Sequence, residues 1–162
     1  MSTYHNALSS ISLFLLLDLL GVSSPRVPSY FKTTHWAYQS LSSIEVRLRS
    51  LGLTQSKSDP FLPDARKDSN NFNGAWGVQD DHIPFMARGV EVLHLIPTPF
   101  PRVWHTMSDD GEHLDLPTVE DWSRMITAFV GEWMDLEGYF PGKEKAEAKI
   151  KEKRTVSSKT EL

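Results

Sequence analysis

The chain has 162 residues, a one-domain length, since about 100 to 200 residues make a domain, and its 40% hydrophobic content with five Trp and eight Phe excludes a disordered polypeptide. Its formal charge of −4 is unevenly divided: residues 143–162 carry seven Lys/Arg against four Glu, or +3, which leaves 10 − 17 = −7 for residues 1–142. An acidic body argues against a nucleic-acid surface, which needs clustered cations to neutralise phosphate, and the lack of cysteine excludes disulfides and thiolate metal sites.

Along the chain, the run Ile11–Leu17 is apolar and too short for a free helix, so it predicts a central strand with Asp18 at its C-terminal end. A signal peptide is the competing reading of residues 1–24. It is opposed by the absence of Lys or Arg before the apolar run and by Asp18 within the apolar stretch. Ser24-Pro25 and Val27-Pro28 predict an extended loop, and a helical period then begins near Thr33 or Thr34. It places Trp36, Leu41, Ile44, Leu48 and Leu51 on one face, with Gly52 where a left-handed helix stop belongs. Residues 55–77 have no apolar period and predict a long surface loop.

Val90–Ile96 is a second apolar run, stopped by Pro97, and predicts a buried strand. The prolines at 97, 99 and 101 fix φ at alternate positions, so the loop leaving this strand presents Phe100, Trp104 and His105 with little ordering entropy left to lose. A stiff loop at the C-terminal end of a buried strand is where open α/β sheets build their sites. A turn at Ser108–Gly111 follows. A last helix is predicted from Thr118, with Asp121 in capping position and Val119, Trp122, Ile126, Phe129, Val130 and Trp133 buried. The Lys/Glu alternation beyond residue 140 has no apolar face and predicts a disordered tail, residues 141–162. Strands separated by a helix and loops give an α/β class with a mostly parallel sheet flanked by helices.

Residue chemistry leaves alternatives open at each candidate. Asp18, ending an apolar run, must find partners or have its pKa pushed up, or else it caps the next turn. His94 inside a strand fits a core histidine pinned by a carboxylate. His105 beside Trp104 and Thr106 fits either a metal ligand or a partly buried, satisfied residue. Aromatics after prolines more often belong to a core than to a pocket.

The residues Gln79-Asp80-Asp81-His82-Ile83-Pro84-Phe85, His94-Leu95-Ile96-Pro97, Pro99-Phe100-Pro101 and Val103-Trp104-His105-Thr106, with Leu16-Leu17-Asp18-Leu19-Leu20-Gly21 upstream, resemble the glutaminyl-peptide cyclotransferases. These form a zinc-dependent family within the aminopeptidase-like superfamily. The resemblance runs from about residue 11 to about residue 136, and it implies that residues 1–140 are the C-terminal half of such a catalytic domain. Its implied activity is zinc-assisted cyclisation of an N-terminal glutamine to pyroglutamate, with release of ammonia. Peptide or protein N-termini beginning with Gln are the implied partners, and one Zn2+ in the intact enzyme is the implied cofactor. Also by resemblance, His105 ligates the zinc, Asp18 is a catalytic acid linked to Asp80 and His94 in a proton network, and Gln79, Phe100 and Trp104 form the substrate pocket.

The resemblance also implies elements that do not occur in this sequence: the metal-binding Asp, the catalytic Glu and the adjacent metal-binding Glu. The expectation is a truncated chain that is inactive alone. Two other readings stand beside it. His105-Thr106-Met107-Ser108-Asp109 is also the pattern of zinc aminopeptidases of the superfamily, though Trp104 and residues 80–85 favour the cyclase. An inactive remnant or binding protein is the third reading. The family implies a secretory or extracellular location, for which this chain shows no convincing leader, and the terminal Lys159-Thr160-Glu161-Leu162 is a weak match to a retention signal.

Overall fold

The computed structural model describes residues 6–72, 78–139 and 142. The chain divides into two units, Met1–Phe129 and Val130–Leu162. In the first, strand β1 (Phe14–Leu17) pairs in parallel with β2 (Val92–Leu95), in the register Phe14↔Val92, Leu15↔Leu93, Leu16↔His94 and Leu17↔Leu95. Backbone bonds from Phe14 to Glu91 O (2.8 Å) and from Asp18 to Leu95 O (3.0 Å) lock both ends of the pair. Both strands are shorter than the apolar runs that predict them. A 3-10 turn, Leu8–Ser10, precedes β1, while Val90 and Ile96 stay buried just outside β2.

Helix α1 (His35–Ser50) buries Ala37, Tyr38, Leu41 and Ile44 in the core. It is tied to the sheet by Thr34 Oγ1, which donates to Val92 O at 2.6 Å. Two residues of the predicted apolar face are in fact exposed, Trp36 and Leu51. Gly52 does take the left-handed conformation expected at the helix stop, φ +66°.

The segment after α1 departs further from expectation. Far from being purely surface, it sends Phe61 and Leu62 into the core at 0% and 2% exposure. The reason is Glu45, a buried carboxylate on α1. Its oxygens accept from the Phe61 and Leu62 backbone N–H groups (2.6 and 3.1 Å) and from Arg49 Nε (3.0 Å). A charge buried on a helix is tolerable only when so satisfied, and here it pulls in a loop whose own sequence has no period. The rest of the predicted loop, residues 73–77, lies outside the described residues.

A short helix not foreseen from sequence, α2 (Ile83–Met86), carries Phe85 against Phe14 of β1, with ring centroids 4.4 Å apart and near-parallel planes. Helix α3 (Leu116–Trp133) starts two residues before the predicted position. Its first turn is closed by Asp115, whose Oδ2 accepts from Thr118 N at 3.1 Å. Asp121 is not a cap: buried to 1% exposure, it accepts from the Gln55 and Ser56 backbone N–H groups at 2.6 and 2.9 Å. Trp122, Met125 and Phe129 join the core, whereas Val119, Val130 and Trp133, predicted to be buried, are 37–43% exposed.

Within the second unit the helix ends in bonds from Met134 N to Val130 O and from Leu136 N to Gly131 O, followed by a 3-10 turn, Glu137–Tyr139. Apart from Gly142, the predicted charged tail lies outside the described residues.

Candidate active site

The β1–β2 register determines what meets at the C-terminal end of the strands. Side chains alternate faces along a strand, so Asp18, two residues beyond the Leu16 that faces His94, lies on the His94 side. The loop entering α2 supplies the third group. Phe85 stacked on Phe14, together with the Ile83 N–H to Asp80 O bond (3.0 Å), holds Asp80 over the same strand end. One ligand-type atom each from Asp18, Asp80 and His94 lie within 4.8 Å of one another. His94 Nε2 is 4.0 Å from Asp18 Oδ2 and 3.8 Å from Asp80 Oδ2. Those separations exceed hydrogen-bond length, and this nitrogen is buried with no hydrogen-bond partner.

The electrostatics divide the roles of the two carboxylates. Burial pushes the Asp18 carboxyl up to about 6, and the hydrogen bond and negative charge of Asp80 push the same way. Asp80 is held below the ordinary carboxylate value, first by the Asp81 backbone N–H on its Oδ1 (2.7 Å), then by its hydrogen bond with Asp18. Of the two, Asp18 is thus the carboxyl that holds a proton more readily. Burial, with a smaller push from neighbouring His82, lowers His94 to about 4 against the opposing pull of Asp80. His94 is therefore neutral at physiological pH.

His82 belongs to this cluster too, although the sequence motif assigns it no role. It is 1% exposed, its ring centroid lies 4.8 Å from that of His94, and Phe31 meets it edge-on at 5.6 Å. Burial lowers its pKa as well. The signal that could have found it is positional: His82 directly precedes Ile83-Pro84, a helix start whose first turn faces β1.

The Pro-loop residues make a separate row. Trp104 meets Phe100 edge-on at 4.9 Å and stacks flat on His105 at 3.8 Å. His105 is exposed, sits in the left-handed region at φ +60° and donates its backbone N–H weakly to Asp109 Oδ2 at 3.4 Å. Leu19, next to Asp18, is likewise left-handed at φ +53°. Non-glycine residues in that region cost about 1–3 kcal/mol and cluster at functional sites. Gln79 is exposed. Asp18 itself lines an apolar cavity of about 480 Å3, walled by Leu17, Leu20, Trp122 and Ile126 rather than by Phe100 and Trp104.

As a zinc site, His105 does not fit within this chain: among the described residues no pair of carboxylates gathers around it, and the one three-donor set is Asp18, Asp80 and His94.

A parallel strand pair, flanking helices and an acid–imidazole cluster at the C-terminal strand end make this an α/β fold with a candidate catalytic corner. The chain belongs to peptidase family M28, whose model matches residues 1–130. Among curated relatives it is 44% identical over 134 residues to the glutaminyl-peptide cyclotransferase of Boiga irregularis, covering 81% of this chain and 34% of that protein. It is 46% identical over 132 residues to the glutaminyl-peptide cyclotransferase-like protein of Mus musculus, covering 80% and 32%. The crystal structure of Macrostomum lignano glutaminyl cyclase superposes with a TM-score of 0.65 at 26% identity, over 83% of this chain and 43% of that one. The chain thus spans about a third of the length of the curated relatives it matches.

Proposed function

We propose that this chain carries the proton-handling and pocket-forming part of a glutaminyl-peptide cyclotransferase, which converts N-terminal Gln of peptides to pyroglutamate and releases ammonia. The observation that carries the reading is the Asp18–Asp80–His94 cluster, in a family member whose relatives bear that name. In the reaction the α-amine forms a bond to the γ-carbonyl carbon, the bond from that carbon to the side-chain nitrogen breaks, and a proton must move from the attacking to the departing nitrogen. Groups that exchange protons work best with a pKa near the operating pH, and two carboxylates whose surroundings push their values apart divide into acid and base. Asp18, its carboxyl raised to about 6, hydrogen-bonds the substrate amide, gives its proton to the leaving nitrogen and takes up the one shed by the attacking amine, so that it ends as it began. Asp80 remains ionised and holds the proton on Asp18 by their mutual hydrogen bond. Neutral His94 keeps this corner dry without adding a charge.

Gln79, Phe100 and Trp104 are assigned to the substrate. Trp104 is 38% exposed and edge-on to Phe100, an aromatic wall that a glutamine side chain covers. His105 is assigned as a zinc ligand of the complete site, where the metal would polarise the substrate carbonyl. A secretory or extracellular setting follows the same resemblance; among the described residues no helix is long and apolar enough to cross a membrane.

The test is a chimera in which this chain replaces the matching segment of the Boiga irregularis enzyme. It should release ammonia from a Gln-initiated peptide and no amino acid from a Leu-initiated one. Trp104→Ala should raise KM for the Gln-peptide about tenfold, since a large aromatic contact is removed. Release of free leucine would establish an aminopeptidase instead.

A further inference from the structure

We propose that Tyr30 is a positioning residue, a tether whose hydroxyl pins the stem of the Pro loop, and with it the Phe100–Trp104 wall, beside His94. Tyr30 lies outside every motif named above. Its half-buried side chain reaches 66 and 68 residues along the chain: the hydroxyl donates to Ile96 O at 3.0 Å and lies 2.7 Å from Thr98 Oγ1. A carbonyl only accepts, so with the phenol proton given to Ile96 O, the Thr98 hydroxyl donates to Tyr30. Burial pushes the Tyr30 hydroxyl above its ordinary pKa, which keeps that donor protonated. The same ring stands beside His94, with centroids 6.1 Å apart. One side chain thus touches both the acid–imidazole corner and the first residues of the loop that carries the aromatic wall.

The anchored side of this tether is firm. Val27, in the segment that holds Tyr30, is buried in the core; its N–H donates to Phe61 O and its carbonyl accepts from Tyr38 Oη, both at 2.8 Å. The Ser29 N–H donates to Asp64 Oδ2 at 3.2 Å, and the Ser29 carbonyl accepts from Lys67 Nζ at 2.8 Å. The loop has fewer ties. Apart from Thr98 N to Arg26 O (2.8 Å), the backbone–backbone bonds donated by residues 98–106, among the described residues, are local: Trp104 N to Pro101 O and Thr106 N to Val103 O. Pro99 and Pro101 fix φ on either side of Phe100, so the loop moves with its stem rather than bending along its length. A shift at Thr98 is therefore carried to Phe100 and Trp104, which meet edge-on at 4.9 Å. Holding a binding surface in place before the ligand arrives reduces the entropy lost on binding. If Tyr30 only filled space against His94, its ring would matter and its hydroxyl would not.

The tether stands apart from the reaction; its effect on substrate rests on the cyclase reading. Tyr30→Phe keeps the ring and removes the hydroxyl, and Thr98→Val keeps the branched shape at the other end. In the full chain, hydrogen exchange of the bonded Thr98 and Trp104 amides should speed up about fivefold in Tyr30→Phe, while the amides of α1 exchange as in wild type. The double variant should exchange no faster than Tyr30→Phe, because Thr98→Val removes a bond already lost. In the chimera with the Boiga irregularis enzyme, Tyr30→Phe should raise KM for the Gln-peptide by about the same factor and leave kcat nearly unchanged. It should have no further effect on KM in a Trp104→Ala background. Loop exchange that is unchanged in Tyr30→Phe overturns the tether, as do additive effects in the double variant. An unchanged KM in an active chimera overturns the positioning role. A wild-type chimera that releases no ammonia contradicts the cyclase reading instead, and the exchange rates then decide the tether alone.

Discussion

Asp18 and Asp80 show how two identical side chains acquire different chemistry. Asp18 ends an apolar strand and is desolvated; Asp80 opens a loop and takes a backbone N–H. Their linkage to stability has opposite signs. Asp18 binds its proton more tightly folded than unfolded, so its contribution favours folding at low pH and is lost as pH rises through about 6. Asp80 contributes stability above the ordinary carboxylate value and loses it on acidification. In the presence of chelator, Asp18→Asn should therefore have a higher Tm than wild type at pH 8. That advantage should shrink toward zero as pH falls to the ordinary aspartate value of 3.8. Thermal melts across that range check it, and a variant less stable at pH 8 would contradict the desolvation account. The identities of Asp18, Asp80 and His94 were legible because each sits inside a long, ordered motif. His82 was not, because only its place just before the Ile83-Pro84 helix start marks it among three polar neighbours, and the Phe14–Phe85 stack and the α2 turn that carry it inward are tertiary.

At the scale of elements, the apolar runs located β1, α1, β2 and α3, since burial on one or both faces is what those patterns encode. Two of the misplacements share a physical origin: polar side chains that organise backbone far away in sequence. Glu45 draws in Phe61 and Leu62, 16 and 17 residues on. Asp121 satisfies Gln55 and Ser56, 66 and 65 residues back, although local spacing had made it a helix cap. The true cap, Asp115, serves one N–H of an exposed first turn. The two substitutions should separate cleanly. Asp115→Ala should cost about 1 kcal/mol, the usual value of a cap. Asp121→Ala, which strands two backbone donors in a buried place, should cost about 2–4 kcal/mol. Urea melts of both variants measure this, and equal losses would return Asp121 to a capping role. Glu45→Ala should cost more still, about 3–5 kcal/mol, because Arg49 loses its ion-pair partner as well.

For the molecule as a whole, the described residues contain a two-stranded parallel sheet in which β2 is fully buried and β1 is only partly covered, with Leu17 46% exposed. Parallel strands are normally buried on both faces, and exposed apolar strands associate. The isolated chain should therefore self-associate with rising concentration, and Leu17→Lys should lower its light scattering without changing its circular dichroism. Scattering that is independent of this residue would place the sticky surface elsewhere. The resemblance to the glutaminyl-peptide cyclotransferases was readable from motif order and the α/β architecture from the alternation of apolar runs, whereas the assembly of the cluster required the sheet register. The proposed role of this assembled cluster is to handle the proton in glutamine cyclisation. Its most direct test is the turnover of the chimeric enzyme on a Gln-initiated peptide, measured by ammonia release, with and without Asp18→Asn. Loss of an acid–base group acting in the transition state should lower kcat by about 100-fold or more and leave KM nearly unchanged; an unaltered kcat would contradict the account.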